Sequence, residues 1–83
     1  MNIYEIAAMG REAEAFRDSN TYQRAYERVY LNILQGIVDA QDDETVLKLK
    51  AHITSLEAID HQISNIIDDG EVAKAEIEEQ DGN

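Results

Sequence analysis

Two stretches of this chain repeat apolar residues at alternating steps of four and three, with a polar stretch of turn length between them. Tyr22, Tyr26, Val29, Ile33, Gly36 and Ala40 keep that spacing in the first, and Val46, Leu49, Ile53, Leu56, Ile63 and Ile67 in the second, where Asp60 fills the one seam position between Leu56 and Ile63. Such spacing is the seam of a coiled-coil-like helix pair. The sequence has no proline and only four glycines, so nothing forces a long helix to stop and the punctuation of an all-β fold is missing. The polar stretch Asp39-Ala40-Gln41-Asp42-Asp43-Glu44 is short enough to make its flanking helices antiparallel neighbours. Asp42 or Asp43 is placed to cap the following helix, whose macrodipole favours acids at its start. The expected fold is therefore all-α, an antiparallel helical hairpin of residues 22–40 against 45–67.

Around this hairpin the sequence places two further segments. Ile3, Ile6, Ala7, Gly10, Ala13 and Phe16 share one helical face, made mostly of small residues, which predicts a weakly amphipathic N-terminal helix docked on the hairpin in a three-helix arrangement. Asp18-Ser19-Asn20-Thr21 supplies capping side chains and predicts a break before the second helix, although a continuous helix is also compatible with these residues. Asp68-Asp69-Gly70 reads as the stop of the third helix, with Gly70 in a left-handed C′ conformation. The expected organisation is a helical domain over 1–70 and an acidic C-terminal extension over 71–83, either a short helix through Val72, Ala73, Ala75 and Ile77 or a solvated tail, with 80–83 frayed.

At 83 residues the chain forms one small domain, and a domain of this size buries only about 60% of the surface its unfolded chain exposes. With no cysteine to provide a disulfide or a thiolate ligand, self-association is the remaining source of stability. The apolar positions of the second helix sweep about 240° of its circumference at 100° per residue, more than one neighbour covers. Tyr22, Tyr26 and Tyr30 form a ladder on the rim of the core, and Tyr30, Leu31, Leu34 and Val38 extend beyond the two-helix seam. These six residues are the candidate protein interface, unless the N-terminal helix covers the last four. Asp60 occupies a seam position. It is either a buried polar residue that fixes register or, the preferred alternative, swings to the edge while Ile59 takes its place.

Charge narrows the class of partner. The net charge is −11, and its distribution is uneven: residues 1–38 carry −1 and residues 39–83 carry −10. Counterion release at phosphates needs the opposite sign, so direct nucleic-acid binding is not expected, and a basic protein surface is the better complement. Asp42, Asp43, Glu44, Asp68 and Asp69 are the candidate acidic contacts. Arg24 and Arg28 share a face, where pairing with acids of the same or a neighbouring subunit is expected rather than phosphate binding. No segment has the length and apolarity of a membrane span or the pattern of a signal peptide, so a cytoplasmic protein is expected.

Chemistry is thinly represented. Glu57 and His61 stand at i, i+4, but His52 is remote on the same helix and no third ligand completes a metal set. Ser19, Ser55 and Ser64 belong to no nucleophile arrangement, and no glycine-rich phosphate loop exists. The expectation is a non-enzymatic protein without metal or cofactor.

The ordered strings Phe16-Arg17-Asp18-Ser19, Tyr22-Gln23-Arg24-Ala25-Tyr26-Glu27-Arg28, Asp42-Asp43-Glu44, Leu56-Glu57-Ala58-Ile59-Asp60 and Ile67-Asp68-Asp69-Gly70-Glu71-Val72-Ala73 span most of the chain. Together they resemble small helical hypothetical proteins encoded among packaging and virion genes of tailed bacteriophages. The resemblance implies a virion assembly factor or minor virion component, a homo-oligomer that contacts a larger phage structural protein in the cytoplasm of a bacterial host or in the virion. The composition supports a rival: an acidic inhibitor that mimics nucleic acid on a basic host defence or DNA-handling protein.

Overall fold

The computed structural model describes residues 1–82, and all of its regular structure is helical: α1 (Ile3–Asp18), α2 (Asn20–Asp39) and α3 (Asp43–Asp81). Local chemistry accounts for each boundary. Asn2 caps α1, its Oδ1 accepting the Glu5 N–H at 2.9 Å. Ser19 both ends α1 and begins α2: its N–H and hydroxyl donate to the Phe16 carbonyl, while Oγ accepts the Tyr22 N–H at 3.1 Å. One extended residue thus separates the two helices. Asp42 caps α3, with Oδ1 accepting the Thr45 N–H at 2.7 Å.

The long hairpin is present, with its first arm broken and its second unbroken. Along α3, Asp60 meets Tyr22 near the start of α2, and Leu49 lies beside Gly36 near the end of α2, so α2 and α3 run antiparallel. The same antiparallel order holds at the other end. Gly10 of α1 lies against Gly70, and Ile3 and Ile6 share a groove with Ala73 and Glu76. Hence α1 docks beside the far half of α3, end to end with α2. The molecule measures 64 × 23 × 16 Å. A helix is about 10–12 Å across, and 39 residues at about 1.5 Å each span about 58 Å, so the shape is a rod two helices wide and one helix thick, with α3 running its length.

The expected stop at Asp68-Asp69-Gly70 is absent. No glycine among the described residues has positive φ, and α3 continues without interruption through Gly70, Ala73 and Ile77 to Asp81. Gly70 is needed for a different reason. A Cβ placed on it would lie 2.6 Å from the Gly10 Cα, and one placed on Gly10 would lie 2.7 Å from the Gly70 Cα. Two backbones therefore touch at this crossing, where any side chain on either residue would push them apart. Expected fraying is likewise overturned for Gln80 and Asp81, which are helical, with the Gly82 N–H donating to the Glu78 carbonyl at 2.9 Å; Asn83 lies outside the described residues.

A layer one helix thick has no interior in the usual sense. Among the described residues the buried ones are Ala7, Ile67 and Ala73, with Gly10 and Gly70, and all five belong to the α1–α3 crossing. No residue of α2 is buried. The α2–α3 seam is flanked by solvent on both faces, so its apolar side chains are at best half-covered.

Candidate functional site

The six residues of the expected interface fall into two sets. Tyr22, Tyr26 and Tyr30 are half-buried along the α2–α3 seam. Their rings form a row that begins at Phe16: centroids are 4.7 Å apart for Phe16 and Tyr22, 6.0 Å for Tyr22 and Tyr26, and 6.4 Å for the stacked pair Tyr26 and Tyr30. This row bridges the break at Ser19 and stiffens the junction of α1 with α2. Tyr30 takes the covered position expected of Val29, which is exposed instead.

Leu31, Leu34 and Val38 form the second set. Their exposures are 53%, 37% and 77%, and the spacing of three and four puts them on one side of α2. The N-terminal helix does not cover them, because it pairs with the other half of α3. Leu47 of α3 is exposed too, at 66%. On the helical angles of an antiparallel pair it points to the same side of the rod as Leu34 and Val38.

Asp60 does not swing to the edge. It is half-buried, its Oδ1 accepts the Tyr22 hydroxyl hydrogen at 2.9 Å, and Ile59 is the residue turned to solvent. Burial, the bond to Asp60 and the negative charge of that carboxylate together push the Tyr22 hydroxyl up to about 12. Tyr26 is raised for related reasons, burial first and then the charges of Asp60 and Glu57. A neutral phenol bonded to a carboxylate in this position fixes the register of α2 on α3.

The candidate acids separate into two groups. Asp42, Asp43 and Glu44 stand at the hinge, and Asp68 and Asp69 lie about 37 Å farther along α3, at 1.5 Å per residue. All five are exposed. The Asp42 carboxyl is held below its ordinary value by the Thr45 N–H and hydroxyl, so it serves the helix start. Arg24 and Arg28 make no ion pair among the described residues; Arg17 approaches Asp18 at 4.0 Å and Lys48 pairs with Glu44 at 3.4 Å. His52, His61 and Glu57 are exposed, and no group of three metal-ligating side chains occurs among the described residues. The serine hydroxyls of Ser19 and Ser55 are bound to backbone carbonyls. No helix among the described residues is long and apolar enough to cross a membrane.

One feature has no counterpart among the sequence candidates. At the free end of the rod α1 and α3 enclose an open groove of about 490 Å³ lined by Ile3, Ile6, Met9, Ile66, Val72 and Ala73, with Met1, Asp69 and Glu76 at its margins. In the sequence its lining is divided between the weakly amphipathic first segment and residues on either side of the expected stop at Gly70. Comparison of the chain with protein-family models, with curated proteins and with solved structures gives no match.

Proposed function

We propose that the chain is a non-enzymatic assembly or adaptor protein that self-associates through the exposed apolar side of α2. The observation that carries this reading is the absence of any buried residue in α2, although Leu31, Leu34 and Val38 give it an apolar side that neither α1 nor α3 covers. Apolar surface left in water contributes nothing to stability, at roughly 25 cal/mol forgone for each Å² that a neighbour would cover. A second two-helix layer laid on this side turns the α2–α3 arm into a four-helix arrangement and encloses the seam from above. Charge agrees with that placement, because the sequence through Val38 is close to neutral and the repulsion between copies is concentrated elsewhere. The resemblance to bacteriophage packaging-gene and virion-gene proteins suggests a role in virion assembly or as a minor virion component, in a bacterial cytoplasm or in the particle.

Sedimentation equilibrium of the full chain beside a Leu31→Gln/Leu34→Gln/Val38→Gln variant tests the proposal. Glutamine leaves charge and helix propensity nearly unchanged, so the two proteins differ chiefly in apolar surface. The expected result is a parent mass of at least two chains and a variant mass near one. Equal masses would refute the assignment of the interface, and a monomeric parent at all concentrations would refute self-association itself.

A further inference from the structure

We infer that the groove between α1 and the C-terminal half of α3 is a docking site for a basic amphipathic helix of another protein. The occupant is specified by the groove's two kinds of lining. Its floor is apolar, with Ile6, Met9 and Ile66 beside Val72, and Val72 is 62% exposed at the center of an otherwise acidic stretch of helix. A floor of isoleucine and flexible methionine accepts the apolar anchors of a helix, spaced at i, i+3, i+4 and i+7. Asp69 and Glu76, two turns apart on α3, line the same groove. From Asp68 onward the chain carries seven acids against the single lysine Lys74, so the field around the groove attracts cations.

That field selects among occupants. A second copy docked groove against groove would place another such acidic stretch against the first, and like charges across an interface oppose association. A helix with apolar residues on one side and lysine or arginine along its flanks satisfies both the floor and the margins. Lysine and arginine stems also add apolar contact while their charged ends reach Asp69 and Glu76. The groove lies at the opposite end of the rod from Leu34 and Val38, so partner capture stands independently of self-association through α2.

Met1 and Met9 are the two methionines in the sequence, and both line the groove, which makes their methyl groups site-specific probes. The full chain, labelled with ¹³C at the methionine methyls, is titrated with a synthetic helical peptide carrying leucine at i, i+3, i+4 and i+7 and lysine elsewhere. A peptide with the same leucines and glutamate in place of lysine serves as comparison. The expected result is a saturable shift of the methionine signals with the lysine peptide and none with the glutamate peptide. Met9→Gln/Val72→Gln, at exposed positions, weakens binding by about tenfold, the value of about 1.4 kcal/mol of lost contact. Asp69→Asn/Glu76→Gln weakens it by about threefold, as expected of solvent-exposed charges, whereas Asp43→Asn/Glu44→Gln at the hinge leaves it unchanged.

Absence of saturable binding, binding that leaves both methionine signals unmoved, or equal loss from the two charge pairs would overturn the proposal. Methionine shifts that depend on protein concentration without peptide would assign the groove to a second copy and overturn it as well. Repeating the titration on the Leu31→Gln/Leu34→Gln/Val38→Gln variant separates the two surfaces. Retained peptide binding with lost self-association is the expected pattern; loss of both would show that one surface serves both purposes and would overturn the separate site.

Discussion

Replacing glycine by alanine inside a helix ordinarily stabilises it, by about 1 kcal/mol, yet the same change should have opposite signs at two places in this rod. At Gly70 the new Cβ would fall 2.6 Å from the Gly10 Cα and 3.2 Å from the Gly10 nitrogen. Both atoms are backbone, so no rotamer change relieves the contact and α1 must lift away from α3. Overpacking costs about 1–3 kcal/mol, and a backbone obstacle belongs at the top of that range. After the gain in propensity, a net loss of about 2 kcal/mol remains, which lowers the melting temperature of a domain this size by roughly 8–16 °C. Gly10→Ala should behave alike, its Cβ meeting the Gly70 Cα at 2.7 Å. At Gly36 the nearest atom is Leu49 Cδ1 at 3.1 Å, the end of a flexible side chain that can yield. Gly36→Ala should therefore retain part of the propensity gain and be neutral to stabilising by about 0.5 kcal/mol. Thermal unfolding followed by circular dichroism, at one fixed protein concentration, measures all three. If Gly70→Ala or Gly10→Ala raised the midpoint as Gly36→Ala does, the close crossing and the docking of α1 on α3 would both be refuted.

Other consequences concern caps and titrations. Ser19→Ala removes the hydroxyl that serves both adjoining helix ends and should cost about 1 kcal/mol by urea denaturation; no loss would mean that the break is held by something else. Because the Asp42 carboxyl is lower in the folded chain than in the unfolded one, its contribution is present above the unfolded value and lost as pH falls through the folded value. Asp42→Asn should therefore flatten the acid limb of stability, and an unchanged limb would exclude this cap as its source. Tyr22 is raised to about 12, so its contribution is complete below the ordinary tyrosine value near 10 and is lost as pH rises through about 12. Ultraviolet titration should show a latest tyrosine ionisation that disappears in Tyr22→Phe and moves earlier in Asp60→Asn; normal titration of every tyrosine in the parent would refute the bond. Tyr22→Phe should also cost about 1 kcal/mol of stability, the usual contribution of one hydrogen bond.

Much of the fold could be read from local signals. The step pattern identified the hairpin, the Asp42 cap lies where the acids and the apolar onset place it, and Ser19 lies within the segment expected to break. The misread positions depend on partners far away in sequence. Asp68-Asp69-Gly70 has the composition of a helix end, and only the approach of Gly10, sixty residues earlier, explains a glycine within an unbroken helix. The small-residue face of the first segment was the available clue, since such a face implies a neighbour that comes close. Asp60 is expected at the edge because Ile59 beside it can take the core position, and the donor that holds it on the seam, Tyr22, lies 38 residues away in the sequence. The groove was hidden for the same reason: with a helix stop assumed at Gly70, Val72 and Ala73 had nothing to line. Leu31, Leu34 and Val38 fall outside the seam spacing, and they are exposed because neither α1 nor α3 lies on that side of α2.

Self-association through that surplus is the central claim, and the concentration dependence of thermal unfolding tests it most directly. When folding and association are coupled, the midpoint rises with protein concentration, by roughly 3–5 °C for each tenfold increase in a dimer of this size. The parent chain should show such a rise, and Leu31→Gln/Leu34→Gln/Val38→Gln should lose it. A parent midpoint that stays fixed across a hundredfold range, with full helicity at the lowest concentration, would contradict self-association.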